Sequence, residues 1–547
     1  MKHVTHESTL DNGIKLLVID VSDSNHFNLV IAVNSGYRQA TLEDIEQYEV
    51  PHLLEHMVFD GSASYPSQEA LNDIFSISGG SYNGTTTPYH NMFMFNNKVK
   101  NATTILPAAL DMVFHPLLKE ESFNEEIRVV ENELSEYMGD FALNADQHTQ
   151  QQIIPSLPVS TDTQLTRLQA VTYQATASYH KKYYGTANTT IIVSCDTKKL
   201  SHRKIETLIV KATNAAPKLL RYELPTFNFV EKTDHLTQFI EIGKSIDQSI
   251  ASIQYVVSGK ASDKLLQALS LFASIASGMN SNSVNYKLRK MGLVYGMSLE
   301  LSASIESYGI ELSVQSDNDK FFDIFSYTIG LTRDLIENGI PETVFQKLKS
   351  EYIEQFDDAV STSDGIMSWY LGDYLMTESL LRPDDYKKIV SAVSQKGMLA
   401  AAGKLVSYDN QFATVFSAKG IRVASGMDTL SKSILADNEI VDAVLITNST
   451  LPLNVKRLLG KELNGYYEYD QNAGPLKKVA YYINSRPLLA WTGITVEFLF
   501  GIVLIYAFSA SLFTDNLFFK IIGIVAGVAC IVESAADVYI RLKLKKQ

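Results

Sequence analysis

His52, Glu55 and His56 stand in the stretch HLLEH at positions i, i+3 and i+4. On a helix that spacing puts two imidazoles and one carboxylate on one face, while Leu53 and Leu54 point elsewhere. Neutral imidazole is a good zinc ligand, and a catalytic zinc typically takes three protein ligands and keeps an open position for water. Glu55 cannot easily reach the same ion, but it can sit beside that water and accept a proton. A third ligand must come from elsewhere. The run FNEEIRVVENELSEY offers Glu126 and Glu133, seven residues apart and so on one helix face with Val130. Both stretches also have a plainer reading, HLLEH as one turn of a core helix and the Glu-rich run as a solvated helical face.

The elements around these residues alternate strand and helix. GIKLLVIDV and FNLVIAVNSG read as β-rich runs, a helix carries HLLEH, and SYNGTTTPYHNMFMFN reads as a strand pair. A helical stretch broken by Pro107 and Pro116 follows, and TANTTIIVSCD closes the segment with another strand. The polar, proline-bearing residues 213–234 read as a linker, after which the order restarts with SIASIQYVVSG, a long helix, a hairpin, further helices and QFATVFSA. The fold class is α+β, with two related domains, each a mostly antiparallel sheet with helices packed on one face. The expected boundaries are a catalytic domain over 1–212, a linker over 213–234, a second domain without HxxEH over 235–440 and a juxtamembrane segment over 441–487.

The chain's 547 residues exceed one hydrophobic core, and its 46% apolar and 20% charged residues are those of an ordinary globular protein. Its net charge of −14 argues against nucleic acid as a partner and suits basic or neutral peptides. Cys195 and Cys530, far apart in apolar runs, read as buried free thiols. The first 20 residues lack the layout of a secretory signal, which places the N-terminus in the cytoplasm. Residues 488–512 carry one charge, Glu497, in a run long enough to cross a bilayer as a helix. A second, weaker run over 517–540 completes an expected transmembrane hairpin. Basic residues flank both ends: Lys477, Lys478 and Arg486 before, and Arg541, Lys543, Lys545 and Lys546 after. The positive-inside rule then gives a multi-pass protein of the cell membrane, in contact with lipid, with its catalytic domains on the cytoplasmic side.

HLLEH, followed by Glu133 at 77 positions beyond His56, resembles the inverted zinc motif of the pitrilysin and insulysin superfamily, which includes mitochondrial processing peptidase. DNGIKLLV, NSGYRQ, FDGSASYP, ISGGSYNGTTT and SGMNSNSVNYKLRKMGLVYG extend the resemblance along most of the body. It implies one Zn2+ per chain on His52, His56 and Glu133, with Glu55 as general base and Glu126 as a supporting carboxylate. It also implies peptide contacts from the strand holding Asn83 and from Tyr295. The family usually has an Arg seven positions before that Tyr, where this chain has Leu288, with Arg289 one position later.

The resemblance implies a metalloendopeptidase for short or unfolded peptides, including leader or precursor peptides. Family members enclose substrate between four homologous domains and this chain has room for two, so a homodimer or a heterodimer with a related subunit is expected. The alternative is a peptide-binding subunit of a heterodimeric processing peptidase that is weakly active or inactive.

Overall fold

The computed structural model describes residues 1–445 apart from 138–140, 155–160, 226–236, 243–247, 295, 318–320, 407–410 and 419–442. The first unit runs β1 (His3–Thr9), β2 (Lys15–Val21), β3 (His26–Val33), α1 (Tyr37–Glu43), α2 (Val50–Val58), α3 (Gln68–Phe75), β4 (Ser81–Thr86) and β5 (Asn91–Lys98). It continues with α4 (Ala102–Phe114), α5 (Phe123–Tyr137), α6 (Phe141–Ile153), α7 (Thr161–Leu168), α8 (Tyr173–Tyr183), β6 (Thr189–Cys195) and α9 (His202–Ala212). The strand order is β1-β2-β6-β3-β5-β4, antiparallel except for β2 beside β6.

Sequence pattern and sheet position agree strand by strand. β6, buried at every residue, and β2, nearly so, carry the apolar runs IIV and LLVI at the centre, where both faces are covered. β5 alternates buried and half-buried residues, and the polar β1 and β4 form the edges. Leu16, Val18, Leu29, Ile31 and Phe93 join the helices in one core. α4 runs through Pro107, so the break expected there is absent.

The second unit comprises β7 (Thr237–Ile242), β8 (Gln248–Ser258), α10 (Asp263–Ser277), α11 (Val284–Lys290), β9 (Gly296–Ala303) and β10 (Ser307–Asp317). It then runs α12 (Phe321–Asn338), α13 (Glu342–Ala359), α14 (Ser363–Thr377), α15 (Pro383–Ser391), α16 (Gln395–Leu405), β11 (Gln411–Ala418) and β12 (Ala443–Leu445). Its sheet order, β12-β7-β11-β8-β10-β9, repeats the first sheet position by position. The senses repeat too, except at the outer strand: β12 is parallel to β7, whereas β1 is antiparallel to β2. No sequence repeat announced this correspondence. β12 also carries the sheet past the boundary expected at residue 440.

Helices do not stay on one face of each sheet, as the sequence suggested; each unit lends a helix to the open face of the other's sheet. α14 packs Ile366, Met367, Tyr370 and Tyr374 against Leu17, Ile19, Val21, Val30 and Ile192 of the first sheet. α6 crosses to the second sheet, where Thr149 donates to the Ser252 carbonyl (3.5 Å) and Asp146 accepts from Gln254. Between the units, the buried Arg38 pairs with buried Glu306 and lies 4.7 Å from the centre of the Tyr89 ring. α14 is thus held mainly by an apolar face, whereas α6 adds the Thr149 and Asp146 contacts to the packing of Ile153 with Phe412 and Val256. Among the described residues no helix is long and apolar enough to cross a membrane; the runs 488–512 and 517–540, and Cys530, lie outside them.

The polar α6 contact has a pH dependence. Burial, and then Asp146 beside it, push the Glu311 carboxyl up to about 8, and burial raises Asp146 as well. Between the ordinary carboxylate range and that raised value, the folded chain keeps a proton that the unfolded chain has lost, so stability falls as pH rises through that window. Glu311→Gln, which still donates a hydrogen bond but cannot ionise, is expected to raise Tm at about pH 9 more than at about pH 5. Thermal melts of both proteins at the two pH values check this, and an equal difference at both would contradict it.

Candidate metal centre

α2 carries Pro51 in its first turn, where a missing N–H costs nothing, and it is buried along almost its whole length. Leu53, Leu54, Met57 and Val58 fill the core on one side. The other side presents His52, Glu55 and His56 to α5 and β4. α5 is set against α2 by an apolar stripe, with Phe123, Val130 and Leu134 buried and Ile127 partly so. The start of α5 is tied to the end of α2, because the Ser122 hydroxyl donates to the Asp60 carboxylate and Lys119 donates to the Asp60 carbonyl at 3.0 Å.

That packing brings together what the chain separates. Glu133 lies 3.8 Å from His52 Nε2 and 3.4 Å from His56 Nε2. One ligand atom from each of the three residues lies within 4.8 Å of the others. The outer ring nitrogens are held by further carboxylates, His52 Nδ1 by Glu49 at 3.1 Å and His56 Nδ1 by Glu126 at 3.5 Å. Each carboxylate fixes the tautomer that leaves Nε2 directed at the common centre. Two imidazoles and one carboxylate are a donor set of the catalytic zinc type, and they fit a divalent ion with small inward movements.

The charges are consistent with a cation at the centre. Burial alone would lower both histidines, but Glu133 and Glu49 carry His52 to about 10, and Glu126 and Glu133 carry His56 to about 9. Hydrogen bonds from the two imidazoles hold Glu133 far below the ordinary carboxylate range. In this state the rings bind protons where a metal would bind instead.

Glu55 sits beside the trio rather than in it. Its carboxylate accepts from the Thr86 hydroxyl at 2.8 Å, and burial raises its proton affinity. Gly84 of β4 lies against it, and a Cβ there would overlap the Glu55 carboxylate, so only glycine admits this approach. Asn91, fully buried, donates to the Pro51 carbonyl (3.0 Å) and to Thr86 (2.7 Å), locking α2 to the β4–β5 pair. A cleft of about 570 Å³ opens here, lined by Glu55, His56, Glu126 and Glu133 on one side and Tyr82 to Thr85 on the other.

Of the expected peptide contacts, Asn83 is exposed on β4 and lines this cleft. Arg289 is exposed on α11 and lines neither this cleft nor the groove beyond β4, while Leu288 is fully buried in the second core. Tyr295 lies outside the described residues. Glu49, Thr86, Asn91 and Tyr137, whose hydroxyl donates to Glu133 at 3.2 Å, were not singled out from the sequence. Glu49 and Tyr137 do carry a local signal, since they stand i−3 from His52 and i+4 from Glu133; Asn91 carries none.

Residues 21–153 match the family model described as Insulinase (Peptidase family M16), and residues 170–352 match the one described as Peptidase M16 inactive domain. Protease 3 of Escherichia coli strain K12 is 26% identical over 366 residues, which cover 62% of this chain and 36% of that protein. The chain thus spans about a third of the length of that relative. Among solved structures, a protease from Helicobacter pylori superposes with TM-score 0.66 at 17% identity, covering 76% of this chain and 100% of the other. Pitrilysin superposes with TM-score 0.59 at 16% identity, covering 81% of this chain and 49% of the other. These two likenesses carry the fold.

Glu49→Gln removes the carboxylate behind His52 and is expected to weaken binding of a divalent metal by about 10- to 100-fold. Competition with a chelating indicator measures it, and unchanged affinity would show that Glu49 does not orient the ring.

Proposed function

We propose, since the chain belongs to the M16 family of peptidases, that it is a zinc-dependent endopeptidase acting on extended peptides. The observation that carries this reading is the convergence of His52, His56 and Glu133 beside Glu55 and next to a free sheet edge. Zinc bound by the trio would supply a Lewis acid that polarises the scissile carbonyl and acidifies water.

The chain's own residues do the rest. Glu55, buried and steadied by Thr86, accepts the proton of the attacking water and returns it to the leaving amine. Among the described residues β4 pairs with β5 on one side only, so its other edge offers backbone donors and acceptors to an added peptide strand. Such pairing reads an extended backbone more than a sequence. It suits short or unfolded peptides, leader or precursor peptides among them, and the carboxylates lining the cleft favour basic or neutral ones.

The proposal includes assembly as a homodimer or with a related subunit, so that four such units enclose the peptide. The apolar runs 488–512 and 517–540, with their basic flanks, support attachment to the cell membrane with the peptidase units on the cytoplasmic side. A second reading, a peptide-binding subunit with little activity of its own, is favoured by one observation: the position where the family usually carries its arginine is here the buried Leu288.

Glu55→Gln is expected to abolish cleavage of a quenched fluorescent peptide library while zinc content stays at about one per chain. Turnover retained in the variant would contradict the proposed base. A full chain that binds zinc but cleaves nothing until a related subunit is added would favour the second reading.

A further inference from the structure

The face of the first sheet away from α2 carries a groove unrelated to the metal. Pairing places Asn28 of β3, Asn96 of β5 and Ser81 of β4 in one row across the sheet. Side chains alternate across a strand, so Ser81, Asn83 and Thr85 share this face, while Gly84 and Thr86 face Glu55. α14 covers the β2, β6 and β3 part of the face and stops short of the edge. What remains is a groove of about 470 Å³, floored by Met94, Met367 and Leu371 and continuous with β4.

Among the described residues, Asp364, in the first turn of α14, is the only charged one lining that groove. One oxygen of its carboxylate accepts from Asn28 Nδ2 at 2.9 Å and from Asn96 Nδ2 at 3.0 Å. Both donors are neutral amides, so they aim the carboxylate without neutralising it. The helix N-cap is already supplied by Thr362, whose hydroxyl accepts from the Gly365 N–H at 3.0 Å, so Asp364 is not needed for capping. Asp364 is exposed, and among the described residues it pairs with no cation.

We infer that Asp364 selects lysine or arginine at the substrate position that pairs with Ser81, three residues along β4 from Gly84. This rests on β4 being the edge that receives the peptide. A strand added there continues the pleat, and the residue opposite Ser81 directs its side chain onto the α14 face. Asn96, over which Asp364 sits, is two strand spacings from the added strand, roughly 10 Å across the sheet. The small, exposed Ser81 leaves the path open. Short side chains end above Ser81; Lys and Arg lay an apolar stem over the groove and bring a cation towards the carboxylate.

The test uses the zinc-loaded full chain and peptides in which one Lys, Gln or Glu is moved position by position around the cleavage site. Lys is expected to exceed Gln in kcat/KM by up to about fivefold at a single position about three residues from the scissile bond, mainly through KM. Asp364→Asn, which keeps an acceptor for both amides, should bring that Lys-to-Gln ratio to about one, and Asp364→Lys should turn the preference towards Glu. A ratio that survives in Asp364→Asn, or no positional preference in the unaltered protein, overturns the inference. If the unaltered protein cleaves none of the peptides, the peptidase reading fails separately. Anisotropy of the same labelled peptides then decides: binding in which the Lys preference depends on Asp364 supports the inference, and absent binding overturns it.

Discussion

Burying His52 and Glu55 on one short helix, with Glu49 at its N-cap, is the constraint on which the rest of this protein depends. Ionisable groups in a core must be paired or they cost several kcal/mol each, roughly the whole margin by which a domain is stable. Here every member has a partner: Glu49 for His52, Glu126 for His56, Thr86 for Glu55, and Glu133 for both rings. Apart from Glu49, which immediately precedes α2, those partners come from α5 and β4, so the two elements must lie where they do for α2 to be tolerated at all. The same demand makes the site rigid before any substrate arrives, which is what a reaction depending on placed proton acceptors requires.

The exchange of helices between the two sheets extends this order across the chain. α14 closes the far face of the first sheet with apolar residues, and so holds β3 and β6 flat behind the strands that carry the site. α6, the helix that follows α5, reaches the second sheet through hydroxyl, amide and carboxyl groups. The helix bearing Glu133 is thus anchored at one end to Asp60 and leads at the other into the second unit. The metal centre belongs to the first unit in composition but to both in support, a reason for a unit without HxxEH to persist beside one that has it.

On the proposed reading, peptide recognition divides between two faces of one edge strand. Towards α2, β4 presents Gly84 and Thr86 to Glu55; towards α14, Ser81 and Asn83 line a groove whose one charge among the described residues is Asp364, and Asn83 borders the metal-side cleft as well.

Spacing along the chain was enough to establish the local half of the site. The spacing of HLLEH put His52, Glu55 and His56 on one face, and the seven-residue step from Glu126 to Glu133 did the same on α5, because helical periodicity is a property of the backbone alone. The strand pair around Asn83 and the α+β class were legible for the same reason. Tertiary structure alone decided that the two faces meet, that Asn91 locks α2 to β4, that the sheets repeat each other, and that α6 and α14 cross between them. These are contacts between residues distant in the chain. They follow from how whole surfaces fit, and no pattern within a single segment encodes them.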